Sequence, residues 1–65
     1  MDPDIWIVRD GDVYRLLHGH LHLASRLSMQ AEVMVNIPHE GSVRIIKSAS
    51  GLVVEQDQRR SLLKA

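Results

Sequence analysis

The distribution of valine and isoleucine constrains the fold of this chain more than any other feature. None lies in residues 14–32, whereas four clusters lie outside that interval, at residues 5–8, 33–37, 43–46 and 53–54. Branching at Cβ favours strands and slightly disfavours helices. The sequence therefore predicts one α+β domain over residues 1–65 in the order β-α-β-β-β, with one long helix packed on a mainly antiparallel sheet.

Residues 12–29 carry the periodicity of an amphipathic helix. Apolar positions recur at spacings of three and four, while Arg15, Gly19 and Arg26 fall on the opposite, exposed face. Asp10 or Asp12 is expected to cap the N-terminus. The predicted buried stripe contains seven residues: Val13, Leu16, Leu17, His20, Leu21, Ala24 and Leu27.

The same segment permits a second interpretation. Asp-Gly within RDGD, residues 9–12, is typical of a hairpin turn, and residues 13–23 would then form a second strand. Alternation would place Arg15 on one face with Val13, Leu17 and Leu21, which is why the helix is preferred. The alternative fold is a small five-stranded all-β barrel. The sequence leaves residues 12–23 open between helix and strand.

After Gln30 the hydrophobic period changes to two. The segments PHEG, residues 38–41, and ASG, residues 49–51, have turn composition and divide the rest into a three-stranded meander. Residues 57–65 are expected to form a short helix or a frayed end. One face of the sheet is predicted to meet the helix: Val33, Val35, Ile37, Val43, Ile45, Leu52 and Val54.

Composition narrows the range of functions. Eight basic and eight acidic residues give no net charge, whereas a strong polyanion binder usually carries a basic excess. The absence of cysteine excludes disulfides and thiolate zinc sites and agrees with a cytoplasmic protein. No apolar run approaches the roughly 18 residues that a membrane helix requires, so no membrane association is expected.

Three histidines at alternate positions raise the question of a metal site. On a helix, His18 and His22 lie one turn apart on the polar face, while His20 turns towards the core. A tetrahedral site needs further ligands, so these two are weak metal candidates and metal binding is only an alternative function. The pair His39–Glu40 lacks the second histidine of the metalloprotease motif. We therefore expect neither catalysis nor a cofactor.

The sheet has more apolar residues than one helix can cover. Met34, Ile46 and Val53 alternate with the core-facing set and so lie on the other face of the sheet. The first strand adds either Trp6 and Val8 or Ile5 and Ile7 to that face. Leu23 widens the apolar stripe of the helix. Large contiguous apolar patches are rarely left in water. Met34, Ile46, Val53 and Leu23 are therefore predicted to contact a second copy of the chain or another protein.

The sequence thus favours a small, non-enzymatic interaction or regulatory module that is a homodimer. The alternative is a bacterial or phage regulator that binds nucleic acid. Its contacts would come from four arginines: Arg15, Arg26, Arg59 and Arg60. The lack of excess positive charge and the scarcity of aromatic residues weigh against that alternative.

Overall fold

Six strands and one short helix build the fold in the computed structural model, which describes residues 4–64. The elements in chain order are β1 (Trp6–Asp10), β2 (Val13–His18), α1 (His20–Met29), β3 (Glu32–Ile37), β4 (Gly41–Ser48), β5 (Gly51–Gln56) and β6 (Arg59–Lys64). Of the domain predicted over residues 1–65, positions 1–3 and 65 lie outside the described part. The chain is thus a mostly stranded domain with a minor helical component.

All six strands belong to one sheet in the order β1-β2-β6-β5-β4-β3. Neighbouring strands are antiparallel, except that β2 and β6 run parallel. The sheet curls into a half-barrel, which brings its two edge strands, β1 and β3, near each other. The helix crosses between β2 and β3 and closes one end of the half-barrel with Leu23 and Leu27.

The core lies inside the curl of the sheet. The predicted core-facing set is confirmed, since Val33, Val35, Ile37, Val43, Ile45 and Val54 are buried and Leu52 packs against them. The structure also decides between the two sets of the first strand. Ile5 and Ile7 are buried in the core, while Trp6 is exposed and Val8 half-buried.

The long helix predicted over residues 12–29 is wrong in its first half. Residues 13–18 form β2, and α1 has only ten residues. The turn at Gly11 and Asp12 joins β1 to β2, so the RDGD hairpin of the alternative interpretation is confirmed. That interpretation is nonetheless wrong in two respects. The second strand ends at His18 and not at residue 23, and the sheet has six strands and not five, because it includes β6.

Arg15 is the reason to prefer a helix, because a strand places it on one face with apolar residues. In the structure that face of β2 is the outer one. Tyr14 and Leu16 point into the core, whereas Arg15 points outwards and its Nε lies 2.8 Å from Asp10 Oδ2. The apolar residues that share its face are therefore on the outside of the sheet. Leu17, predicted to be buried, is exposed.

Gly19 separates β2 from α1. The sequence predicts it within the helix, on the exposed face, whereas in the structure it precedes the first helical residue. It is the N-cap residue, with φ 94° and ψ 26°, and no side chain caps the helix, so the expected caps Asp10 and Asp12 are wrong. A Cβ at Gly19 would lie 1.9 Å from the backbone oxygen of Asp4. Only glycine fits this close crossing of two backbone segments.

The buried face of α1 differs from the predicted stripe, because the helix begins at His20 and its own phase decides which side faces the sheet. Leu23 and Leu27, one turn apart, are buried, whereas His20, Leu21 and Ala24 are exposed. Leu21 is 86% exposed. This helix is also too short to cross a membrane, and no other helix is present in residues 4–64.

Residues 57–64 form neither a helix nor a frayed end. Asp57 and Gln58, both with positive φ (51° and 68°), make a two-residue turn, and β6 then pairs antiparallel with β5. Positive φ at both central residues is typical of the type I′ hairpin turn. Leu63 enters the core while Leu62 faces outwards, and Ala65 lies outside the described residues.

Candidate functional site

An apolar row crosses the outer face of the sheet on three adjacent strands. Leu62 of β6 is paired with Val53 of β5, and Val53 is paired with Ile46 of β4. Directly opposed side chains of antiparallel strands have Cβ atoms about 4.5–5.5 Å apart, so the three are in contact range. Leu62 is 46% exposed, and Ile46 is half-buried. We call these three residues the outer row.

Val53 has an unusual environment within the outer row. It is only 8% exposed, yet it is the one buried apolar residue of the described chain that does not belong to the core cluster. Its burial therefore comes from neighbours on the outer face. The sheet has a small second apolar centre that is already partly removed from water.

A row of charged residues flanks the outer row two positions along the strands. Arg60, Glu55 and Arg44 are paired across β6, β5 and β4, and Met34 of β3 ends the row. Glu55 Oε2 lies 3.0 Å from Arg60 Nε, and Glu55 Oε1 lies 3.8 Å from Arg44 Nη1. Arg44 Nε lies 3.7 Å from Glu32 Oε1. Each exposed pair contributes little by itself. Together the ion pairs hold Arg60, Glu55 and Arg44 beside the outer row, and we call these three residues the charged rim.

The predicted contact residues divide between two places. Met34, Ile46 and Val53 lie on the outer face as expected, and Met34 is 51% exposed. Leu23 points from α1 into the core, on the opposite side of the sheet, so it does not belong to the outer face. Leu62 was missed because residues 57–65 were not recognised as a strand. Its signal was the adjacent pair Leu62–Leu63, since neighbouring leucines in a strand face opposite sides.

The three histidines border one shallow depression at the start of α1. His18 ends β2, whereas His20 and His22 lie in the first turn of α1, so the predicted one-turn spacing of His18 and His22 is wrong. His20, expected in the core, is exposed. His22 Nε2 is 4.0 Å from Asp4 Oδ1. Within residues 4–64 no group of three histidine, aspartate or glutamate side chains is arranged to hold a metal ion.

The four arginines proposed for nucleic-acid binding lie on different parts of the molecule. Arg15 and Arg60 are on the outer face, each paired with a carboxylate of the same chain. Arg59 lines a small polar pocket beside Tyr14 at the end of the half-barrel opposite α1. Arg26 is half-buried in α1.

Polar contacts join the β3–β4 turn to β1 and to β5. Arg9 Nη1 lies 3.0 Å from Glu40 Oε1, and the Gln56 side chain donates a hydrogen bond to the backbone oxygen of Glu40. The hydrogen bond with Glu40 and its negative charge raise the pKa of the Arg9 guanidinium above its usual value. Glu40 of the His39–Glu40 pair is thus held in place by an ion pair with Arg9 and by a hydrogen bond from Gln56.

Comparison with protein-family models, with curated proteins and with solved structures found no match to this chain.

Proposed function

We propose that the protein is a small, non-enzymatic interaction module that acts as a homodimer through the outer face of its sheet. The observation that carries the proposal is the outer row, Leu62, Val53 and Ile46, an apolar strip across three strands that the helix on the opposite side cannot cover. A domain of 65 residues without disulfides has little stability to spare, and burial of this strip would add to it.

The charged rim favours a second copy of the same chain as the partner. A two-fold axis that runs along the strands between β4 and β5 would place Ile46 against Val53 of the second copy. In the flanking row, the same axis would place Arg44 against Glu55 of the second copy, and Glu55 against its Arg44. Both central pairs are opposite in charge, so the middle of the surface is complementary to itself, as the centre of an isologous interface requires. At the edges, the axis would place Leu62 opposite Glu32 of the second copy and Met34 opposite its Arg60.

The arrangement also resembles the usual anatomy of an interface. Apolar side chains occupy the middle, and polar side chains that already hold one another in place lie beside them. Two sheets packed face to face in this way lie about 10 Å apart. Because the chain carries no net charge, no long-range repulsion opposes association of two copies.

The experiment that tests the proposal is light scattering during size exclusion at tens of micromolar protein. The chain has a mass of 7.4 kDa, so the expected mass is twice that value. Ile46→Glu or Leu62→Glu should give the mass of one chain, because a carboxylate would be buried in the contact. Leu21→Glu is the matched control, since Leu21 is a highly exposed leucine on the helix and its variant should stay dimeric.

A charge reversal adds a second criterion. Arg44→Glu should weaken the dimer by placing like charges together, and Arg44→Glu with Glu55→Arg should restore it. Wild-type protein with the mass of a single chain would overturn the homodimer. So would an Ile46→Glu or Leu62→Glu variant that remains folded and dimeric, because the contact would then lie elsewhere.

A further inference from the structure

A cleft separates α1 from the strands on one side of the helix. Leu23 and Leu27 anchor the helix in the core, and its tertiary contacts are mainly with β3. On the side towards β5 and β6 the helix presents Ala24, whose single methyl group leaves space. The opening is lined by Leu16, His20, Leu23, Ala24, Leu27, Lys47, Leu52 and Leu63. We call it the helix cleft.

The lining of the helix cleft combines an apolar wall with a cation. Lys47 of β4 is paired with Leu52 of β5 and lies between Ile46 and Ser48, so it faces the helix side of the sheet. No acidic residue lines the cleft. Among residues 4–64, no ion pair or hydrogen bond joins the Lys47 ammonium group to another side chain or to the backbone. An ammonium group beside an apolar wall suits an anion with an apolar part, because the charges pair while the apolar part is removed from water.

The size of the cleft limits the ligand. Its volume is about 180 Å³. Sites for drug-sized ligands are larger, at about 300–1,000 Å³. The helix cleft therefore fits a short unbranched chain, with the polar end at the mouth.

We propose that the helix cleft binds a short-chain aliphatic carboxylate. The alkyl chain lies among Leu23, Leu27, Leu52 and Leu63, and the carboxylate accepts a hydrogen bond from Lys47 Nζ at the rim. His20, on the same rim, is a second available donor. The cleft lies on the opposite side of the sheet from the outer row, so this binding is independent of whether the chain dimerises.

The experiment is a titration of methyl-labelled protein with sodium hexanoate, followed by the NMR signals of the leucine methyl groups. Saturable shifts of Leu23, Leu27, Leu52 and Leu63 are expected at millimolar hexanoate. Lys47→Gln should weaken hexanoate binding about fivefold, the equivalent of one partly exposed ion pair. Hexanol, which has the same chain without the charge, should bind Lys47→Gln and wild type alike.

Two controls separate this site from unspecific binding. Lys64→Gln removes an ammonium group from the exposed end of β6, outside the cleft, and should bind hexanoate as the wild type does. Ala24→Leu should fill the cleft and abolish binding, and the methyl spectrum reports whether this variant is folded. Absence of saturable shifts in the four leucines overturns the proposal. Equal weakening by Lys47→Gln and Lys64→Gln does so as well, since the attraction would then be to net charge alone.

Discussion

Replacement of Gly19 by alanine tests how the chain changes from strand to helix. The residue has φ 94°, and its missing Cβ would lie 1.9 Å from the backbone oxygen of Asp4 and 2.9 Å from the Cα of Ile5. Contacts of Cβ below about 3 Å essentially never occur, so the segment of Asp4 and Ile5 must move by about an ångström. Because Ile5 is fully buried in the core, such a movement disturbs packing as well as backbone geometry.

The magnitude follows from two contributions. An L-residue in the left-handed region costs about 1–2 kcal/mol. Displacement of Ile5 puts at risk the burial of its side chain, about 1.5–3 kcal/mol. Gly19→Ala should therefore lower the free energy of unfolding by about 2.5–5 kcal/mol. At about 0.05–0.15 kcal/mol per residue, a domain of 65 residues has about 3–10 kcal/mol in total.

The assay is equilibrium unfolding in urea, followed by the fluorescence of Trp6, the single tryptophan, and by circular dichroism. Gly11→Ala is the matched control, because Gly11 also has positive φ (66°) but a Cβ there would meet no atom within 4 Å. It should lose only the conformational contribution, about 1–2 kcal/mol. If Gly19→Ala were no more destabilised than Gly11→Ala, the close crossing of residues 4–5 over Gly19 would be refuted.

Two further predictions concern the turn before β6 and the binding of nucleic acid. Gln58→Gly should raise the free energy of unfolding by about 1 kcal/mol in the same urea assay. Relief of the positive φ, about 1–2 kcal/mol, exceeds the entropy that glycine adds to the unfolded chain, about 0.4–1 kcal/mol, and a lower free energy of unfolding would contradict the type I′ geometry. Duplex DNA should give no gel shift even at low salt, since the outer-face arginines Arg15 and Arg60 already pair with carboxylates of the same chain, and a salt-sensitive shift would contradict this.

The sequence predicted the strands that carry branched residues and the side each residue faces. The segments around Val33–Ile37, Val43–Ile46 and Val53–Val54 are β3, β4 and β5, with the expected inward set. A period of two leaves no freedom once one face is buried, because a shift of one residue would turn every side chain over. The outer positions of Met34, Ile46 and Val53 follow from the same alternation.

Only the tertiary structure decided the segments that are poor in residues branched at Cβ. Residues 13–18 satisfy both a helical and a stranded pattern, and pairing with β1 and β6 on its two sides makes them a strand. Residues 59–64 have no strong strand propensity, yet they complete the sheet between β2 and β5, where both neighbours supply hydrogen-bond partners.

The start of the helix after Gly19 and the composition of the candidate sites depend on contacts between residues that are distant in sequence. Gly19 is required because Asp4 crosses it, which no periodicity within residues 12–29 can indicate. Leu62 joins the outer row only because β6 lies beside β5, and Lys47 faces the helix cleft only because α1 leaves space next to Ala24. Local pattern determines which face a residue occupies along its own strand, whereas the neighbours on that face are set by strand order and helix position.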